Sequence, residues 1–571
     1  MFQTFKTEFA QLLSKIFNIP AQELENEIAL APENVEGDFA FPCFKLSKTL
    51  QKTPIEIAKQ GIEELSKMES QLFSSFVMVG PYLNAKINVW SLAKEILEKI
   101  EKEKSDFWKG ESTWKKILIE GRQPNTHKTV HIWHVRNILL SESISRIMEF
   151  AGNEVIKCSY PGDIGAHVAK WMWYFINFCE EKTFPTVNFS KRVGELYTKA
   201  TLKVDENPDQ YKKEIEELQK RLEDGDEELV KIWKETRKLC LDDLVHICTE
   251  LGTTRIDRRY YESEVEQEGI KIVKEMEQKG IAQYSQGAIA MDLTAYKLDW
   301  FLLLKSNGAS LYSAKDIALA YKKWEEYHYD ESLYIVGSEQ IHHFEQLFKT
   351  LELCGFDAKK LHHIAYGLIS LKSWKMSSRA GNVVLYEDFR DQVLTQAQEM
   401  LKEREIPDSE KEEIARKVAF SAIKFVILLQ DSEKGIIFDD SQALSFEGET
   451  GPYLEYTYAR LCSVLKKGEE ENSDFQKADG TLLQEDLEKK ILLQMAQFSD
   501  LVQKASATYK PNYIARFILD LAQTFNTYYH SCKIHSDDHE LTKARLRLCA
   551  IVAQVFNNAF YLLGIEEVEV M

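Results

Sequence analysis

Apolar positions recur three and four apart at both ends of the first 109 or so residues, as in MFQTFKTEFAQLLSKIF, which predicts helices. Between them GDFAFPCF (Gly37 to Phe44) and FVMVGPYLNAKINV (Phe76 to Val89) read as strands punctuated by Gly-Pro. Residues 1–109 are therefore expected to form an α+β domain. A charged run, EKIEKEKSDFWKGEST, precedes the buried-strand pattern KKILIE, which sets a boundary near residue 110. A Pro-containing loop, the periodic segment HIWHVRNILLSESISRIMEFAG, a stop at Gly152 and a second strand, EVIKCSY, follow. This strand–helix–strand order predicts a doubly wound parallel sheet over 110–440. The Lys/Glu-rich stretch of about 190–250 reads as a helical insertion with a solvated charged face. Strand patterns return at AIAMDL and LYIVG, and from about residue 411 the pattern is almost wholly helical, so 441–571 is expected to be an all-α domain.

Composition narrows the classes. With 44% hydrophobic and 29% charged residues the chain falls in the globular range. Seventy-two Lys and Arg stand against 91 Asp and Glu, a formal charge of −19, so nonspecific adhesion to polyanions is disfavoured and a nucleic-acid partner requires local basic patches. No stretch approaches the roughly 20 apolar residues of a membrane span, and the amphipathic N-terminal segment does not read as a signal peptide. A cytoplasmic location is expected. Nine scattered cysteines without a C-x-x-C pair argue for reduced thiols, not a disulfide framework or a zinc site.

Candidate chemistry centres on the segment from Glu120 to Asn137, where a strand end meets a helix start. Doubly wound sheets bind ligands there. His131 and His134, three apart at a helix N-terminus, share a face and with the helix dipole can meet a nucleotide phosphate. A zinc reading lacks the third ligand and the Glu of H-E-x-x-H, so no metal site is expected. Further on, Lys375-Met-Ser-Ser-Arg379-Ala-Gly381 offers a loop of two cations, two hydroxyls and a glycine, suited to a departing pyrophosphate.

The pairing of Pro-Asn-x-x-Lys-x-x-His-x-x-His with Lys-Met-Ser-Ser-Arg resembles the two signatures of class I aminoacyl-tRNA synthetases. Within that class the chain is similar to the arginyl-tRNA synthetase family nearly end to end. Gly162-Asp-Ile-Gly-Ala-His167, Leu311-Tyr-Ser-Ala-Lys-Asp316, Ile335-Val-Gly-Ser-Glu-Gln340 and Phe446-Glu-Gly-Glu-Thr-Gly-Pro-Tyr-Leu-Glu-Tyr-Thr-Tyr-Ala-Arg460 follow the family's order, and Gly37-Asp-Phe-Ala40 with Gly80-Pro81 resembles its extra N-terminal domain.

The resemblance implies a Rossmann-like catalytic domain and two steps: ATP-dependent formation of arginyl-adenylate, then transfer to the 3′ end of tRNA(Arg), with ATP and Mg²⁺ required. It implies Lys128, His131, His134 and Lys375 as catalytic residues and His131, Trp133, His134, Lys375, Ser377 and Arg379 at ATP. The arginine pocket maps onto Glu120, Asn125, Tyr312, Asp316 and Gln340. Asp38, Phe39, Tyr453, Arg460, Lys510 and Met571 are expected to touch tRNA, beside C-terminal cations and aromatics such as Lys504, Arg516, Arg545, Tyr509, Tyr528 and Tyr529. A monomer is expected. Two departures stand out. Ser378 occupies the place of the second Lys of Lys-Met-Ser-Lys-Ser, a role that falls to Lys128. Trp133 replaces the Gly of His-Ile-Gly-His, where an indole competes with adenine; the alternative reading is a catalytically impaired, RNA-binding relative.

Overall fold

Five parallel strands organise the centre of the chain in the computed structural model, which describes residues 2–32, 35–107, 109–184, 189–285, 287–372, 384–404, 407–471 and 474–571. Across the sheet they run Leu361–Tyr366, Glu331–Gly337, Lys116–Glu120, Glu154–Ser159 and Arg258–Arg259. Lys116–Glu120, the first of these five in chain order, is thus central, and the order reverses between it and Glu331–Gly337. A crevice opens beyond the carboxyl ends at such a reversal. Ile117, Leu118 and Ile119 are all buried, as a strand covered on both faces requires.

The crossover helix Ile132–Phe150 ends at Gly152, whose φ of +96° and whose Cβ position, 2.0 Å from the Glu111 carbonyl oxygen, admit only glycine. The insertion consists of helices Phe189–Glu206, Pro208–Glu223 and Glu227–Glu250, packed with Trp171 and Trp173 of helix Ala166–Phe178 into a small separate core. It is more than a solvated face. Trp233 Nε1 donates to the Asp163 carbonyl at 2.7 Å, Arg237 pairs with the Asp163 carboxylate at 2.7 Å, and Thr236 Oγ1 meets His127 Nε2 at 2.8 Å, so its last helix supports the Gly162–Asp163 and Thr126–His127 turns.

In the N-terminal part, helices Phe2–Phe17 and Pro54–Leu65 cover an antiparallel sheet ordered Ala29–Leu30, Phe39–Pro42, Tyr82–Ile87, Phe73–Val79. A Thr53–Glu56 capping box starts the second helix. Helices Gly451–Glu471, Asp486–Thr508, Asn512–Ser531 and His539–Leu563 build the C-terminal part. The last of these is long and apolar enough by composition to cross a membrane, which the sequence reading did not expect; 72% of its apolar window is buried inside the protein, as in the central helix of an all-α core. The run after residue 411 is also less uniformly helical than expected, because strand Ile436–Phe438 pairs in parallel with Ile369–Leu371.

Candidate active site

A cavity of about 620 Å³ lies at the reversal point, floored by Glu120 and Gly337 at the ends of neighbouring strands. It gathers all five expected arginine-pocket residues, Glu120, Asn125, Tyr312, Asp316 and Gln340, with His131, Trp133 and His134. Lining it too are Glu262, Glu339, Tyr160 and His343, which the sequence reading passed over. Four carboxylates therefore face one cavity, and this suits a cationic ligand.

Three of these carboxylates already have partners from the chain itself, two lysines and a histidine. The Glu120 carboxylate bonds the fully buried Lys323, whose ammonium lies 4.1 Å from the Tyr334 ring centroid. Burial is the largest single influence on Lys323 and lowers its pKa, but the charge and hydrogen bond of Glu120 together with Cys158 and Tyr329 outweigh it, and the net direction is up. Lys315 holds Glu262 at 3.0 Å. Even so, burial raises the Glu262 carboxyl to about 7, with Asp316 and Asp163 adding to the push. His343 Nε2 sits 2.7 Å from Asp316 Oδ2. Nearby, the buried Tyr160 hydroxyl has no hydrogen-bond partner. Asn125 Oδ1 accepts from the Gly162 amide at 3.0 Å, and a Cβ on Gly162 would stand 2.8 Å from that oxygen, so the glycine lets the two turns meet.

His131 is the N-cap of its helix, with extended φ and ψ of −131° and 171°. Its amide donates to His134 Nδ1 at 3.1 Å, and the two rings stack with centroids 3.7 Å apart. Burial, helped by the charge of the exposed Lys128, lowers His131 to about 4; burial, with His131 and then Lys128, carries His134 well below its usual value. At neutral pH both rings are uncharged. Neutral rings can donate hydrogen bonds to phosphate oxygens but carry no positive charge to them. The buried Nδ1 of His131 has no partner. Trp133 is half-buried: its indole N–H donates to the Ile369 carbonyl at 2.7 Å, and the ring meets His131 edge-on at 5.0 Å while packing against the main core. One turn on, the buried Arg136 guanidinium, with its pKa lowered by burial to about 10, donates to the carbonyls of Gly367, Lys434, Asp431 and Ser432 at 2.6–3.2 Å.

Lys375, Ser377 and Arg379 lie outside the described residues. Among the described residues no group of three His, Cys, Asp or Glu stands ready to hold a metal ion, so Mg²⁺ has no built protein site there.

The expected tRNA contacts divide. Phe39 is wholly buried against Phe5 and Phe73 and is a core residue, which corrects its assignment to RNA. Asp38 is committed to the Ile87 amide at 2.7 Å and to Lys489 at 3.1 Å, a tie between N- and C-terminal parts. Lys510 pairs with Asp431 at 2.7 Å, Arg545 is buried on Glu488 at 2.8 Å, and Tyr528 is fully buried, so each serves packing in this conformation. Arg460 lies between the rings of Tyr456 and Tyr529, at 4.9 and 4.7 Å, in a groove of about 750 Å³ that also reaches Met571. The Tyr453 hydroxyl accepts from Asn526 at 2.9 Å beside it.

Residues 96–439, which hold this sheet and cavity, match the family described as "tRNA synthetases class I (R), catalytic domain"; the centre of the chain is a class I aminoacyl-tRNA synthetase catalytic domain. Residues 454–571 match the DALR anticodon binding domain and residues 3–87 the arginyl tRNA synthetase N terminal domain. The chain is 35% identical to an arginine--tRNA ligase of Halothermothrix orenii, over 99% of this chain and 100% of the relative, and 32% identical to one of Clostridium perfringens with the same coverage. The arginyl-tRNA synthetase structure of Thermus thermophilus superposes with a TM-score of 0.81 at 25% identity, covering 99% of each chain. The chain belongs to the arginyl-tRNA synthetase family.

Proposed function

We propose that this protein activates arginine with ATP and joins it to tRNA(Arg), using the cavity at the sheet reversal. The observation that carries this reading is one cavity lined both by the carboxylates of Asp316, Glu262 and Glu120 and by the neutral histidine pair His131 and His134. A guanidinium presents a planar fork of five donors, and Asp316, at present 2.7 Å from an imidazole nitrogen, is placed to accept from it. Tyr312 offers a ring wall, and Asn125 and Gln340 complete the amino-acid end.

In the first step an oxygen of the arginine carboxylate attacks the α-phosphorus of ATP, and the bond to pyrophosphate breaks. Such a displacement depends on positioning and on donors aimed at the developing charge. His131 and His134 donate to phosphate oxygens, with Lys128, Lys375, Ser377 and Arg379 neutralising the leaving group. In the second step a terminal ribose hydroxyl, the 2′-OH in this reading, attacks the adenylate carbonyl and AMP departs. Mg²⁺ would enter with the ATP phosphates and withdraw charge from them. Arg460, Tyr453 and Met571, around the C-terminal groove, form the surface that would meet the anticodon. The protein works as a monomer in the cytoplasm in this reading; all nine cysteines are free, as that compartment favours. Arginine-dependent exchange of pyrophosphate into ATP, followed by charging of tRNA with each labelled amino acid, tests the proposal: charging with arginine alone is expected, and no exchange with arginine would overturn it.

A further inference from the structure

A second cavity, of about 460 Å³, shares no lining residue with the substrate cavity and is lined by Arg122, Cys248, Thr253, Thr254, Arg255 and Arg259, together with apolar side chains. Three guanidiniums around one cavity are unusual in a chain with a formal charge of −19. Arg122, which the catalytic reading leaves unused, is buried with φ +56° and binds Glu142 at 2.5 Å and the Thr254 carbonyl at 2.6 Å. Glu142 is shared, because Arg146 takes its other oxygen at 2.6 Å, so this buried group carries one positive charge in excess.

Among the described residues neither Arg255 nor Arg259 forms an ion pair, and Glu142 is the one carboxylate hydrogen-bonded to any residue lining the cavity. Arg259 lies at the edge of the sheet, opposite Ser159, and its Nε is buried without an acceptor. Arg258, the preceding residue, points the other way into pairs with Glu264 and Glu326, as alternation along a strand dictates. Buried donors are rarely left unpartnered, and one facing a cavity beside a second unpaired guanidinium calls for an anionic acceptor. Such a planar fork matches phosphate oxygens bidentately.

We propose that this cavity is an anion site that takes a phosphate group between the Arg255 and Arg259 guanidiniums, distinct from the ATP site. The phosphate belongs either to a small phosphorylated molecule or to an RNA backbone. The test compares the full chain with Arg255→Gln/Arg259→Gln by equilibrium dialysis of labelled inorganic phosphate, with catalytic turnover measured alongside. Phosphate affinity is expected to fall by roughly tenfold or more in the double variant while kcat for arginylation stays unchanged. Filter binding of tRNA against salt separates the sources. An RNA phosphate lowers the magnitude of the log–log slope by about one to two in the variant, whereas a small-molecule phosphate leaves that slope untouched. Equal phosphate affinity together with an equal tRNA slope in the two proteins overturns the proposal. Because Arg255 is exposed, Arg255→Gln alone keeps the test valid should the change at Arg259 impair folding.

Discussion

Glu120, at the end of the central strand, is ion-paired with Lys323, a lysine with no solvent exposure at all. The cavity floor is therefore a balanced pair and not a bare carboxylate. Removing one member of a buried pair strands the other charge and costs about 3–5 kcal/mol, whereas removing both is far milder. Lys323→Met is expected to lower stability by that amount in urea titrations, and Glu120→Gln/Lys323→Met to recover most of it. Equal losses in the single and double variants would show that the pair is not coupled.

Asp316 faces a different partner, the half-exposed ring of His343. If the arginine guanidinium takes this place, Asp316→Asn loses a charge-assisted interaction worth about 2–4 kcal/mol, or roughly 30- to 1,000-fold in kcat/KM for arginine. The loss should appear in arginine and leave the KM for ATP within about twofold if, as proposed, ATP is held by other residues, His131 and His134 among them. Steady-state pyrophosphate exchange reads both.

The Glu262 carboxyl, raised to about 7 by burial, gives arginine binding a pH dependence. A bound cation favours the ionised form, so arginine binding releases a proton where Glu262 is still protonated. Affinity is expected to rise as pH increases from about 6 to 8 and then level off. Glu262→Gln should flatten this profile; a slope unchanged in that variant would assign the titration elsewhere.

Histidine burial sets the acid limit of the fold. Burial lowers His127 to about 3, and burial with Lys128 lowers His131 and His167 to about 4. Below the unfolded value of about 6.5 the unfolded chain binds protons that the native chain refuses, so stability falls as pH drops from about 6.5 towards 4. His127→Gln, which removes the most displaced of the three, should make the urea midpoint fall less steeply over that range.

Trp133 can be separated from fold competence by experiment. Its indole is tied to Ile369 and lines the cavity against His131, so on the proposed function Trp133→Gly opens space for a nucleotide at the cost of packing and helix propensity, together about 2–4 kcal/mol. A lower KM for ATP with a lower Tm is expected in the exchange assay and in thermal melts. An unchanged KM for ATP would mean that the base lies clear of the ring.

Much of the catalytic half was readable beforehand because its strands are near-continuous apolar runs: Lys116–Glu120, Glu154–Ser159 and Glu331–Gly337 all coincide with such patterns. Leu361–Tyr366 was missed since its two histidines and half-buried faces break the run, and Arg258–Arg259 because two arginines carry no strand signal. The pocket residues were legible through motif order, yet their partners were not. Lys323, His343 and Lys315 reach Glu120, Asp316 and Glu262 through tertiary packing, in which sequence spacing has no part. Phe39 illustrates the opposite error: a residue picked out by its motif is held in the core by two other aromatic rings.

The guanidinium of Arg136 has a mechanical consequence. It grips the carbonyl of Asp431, whose carboxylate in turn holds Lys510 at the turn between two C-terminal helices. The helix that bears His131 and His134 and the helices of the RNA-facing end are therefore moored to the same residue, with one guanidinium and one ammonium as the cables. A shift at one end of the molecule loads the mooring of the other directly, without passing through the β-sheet.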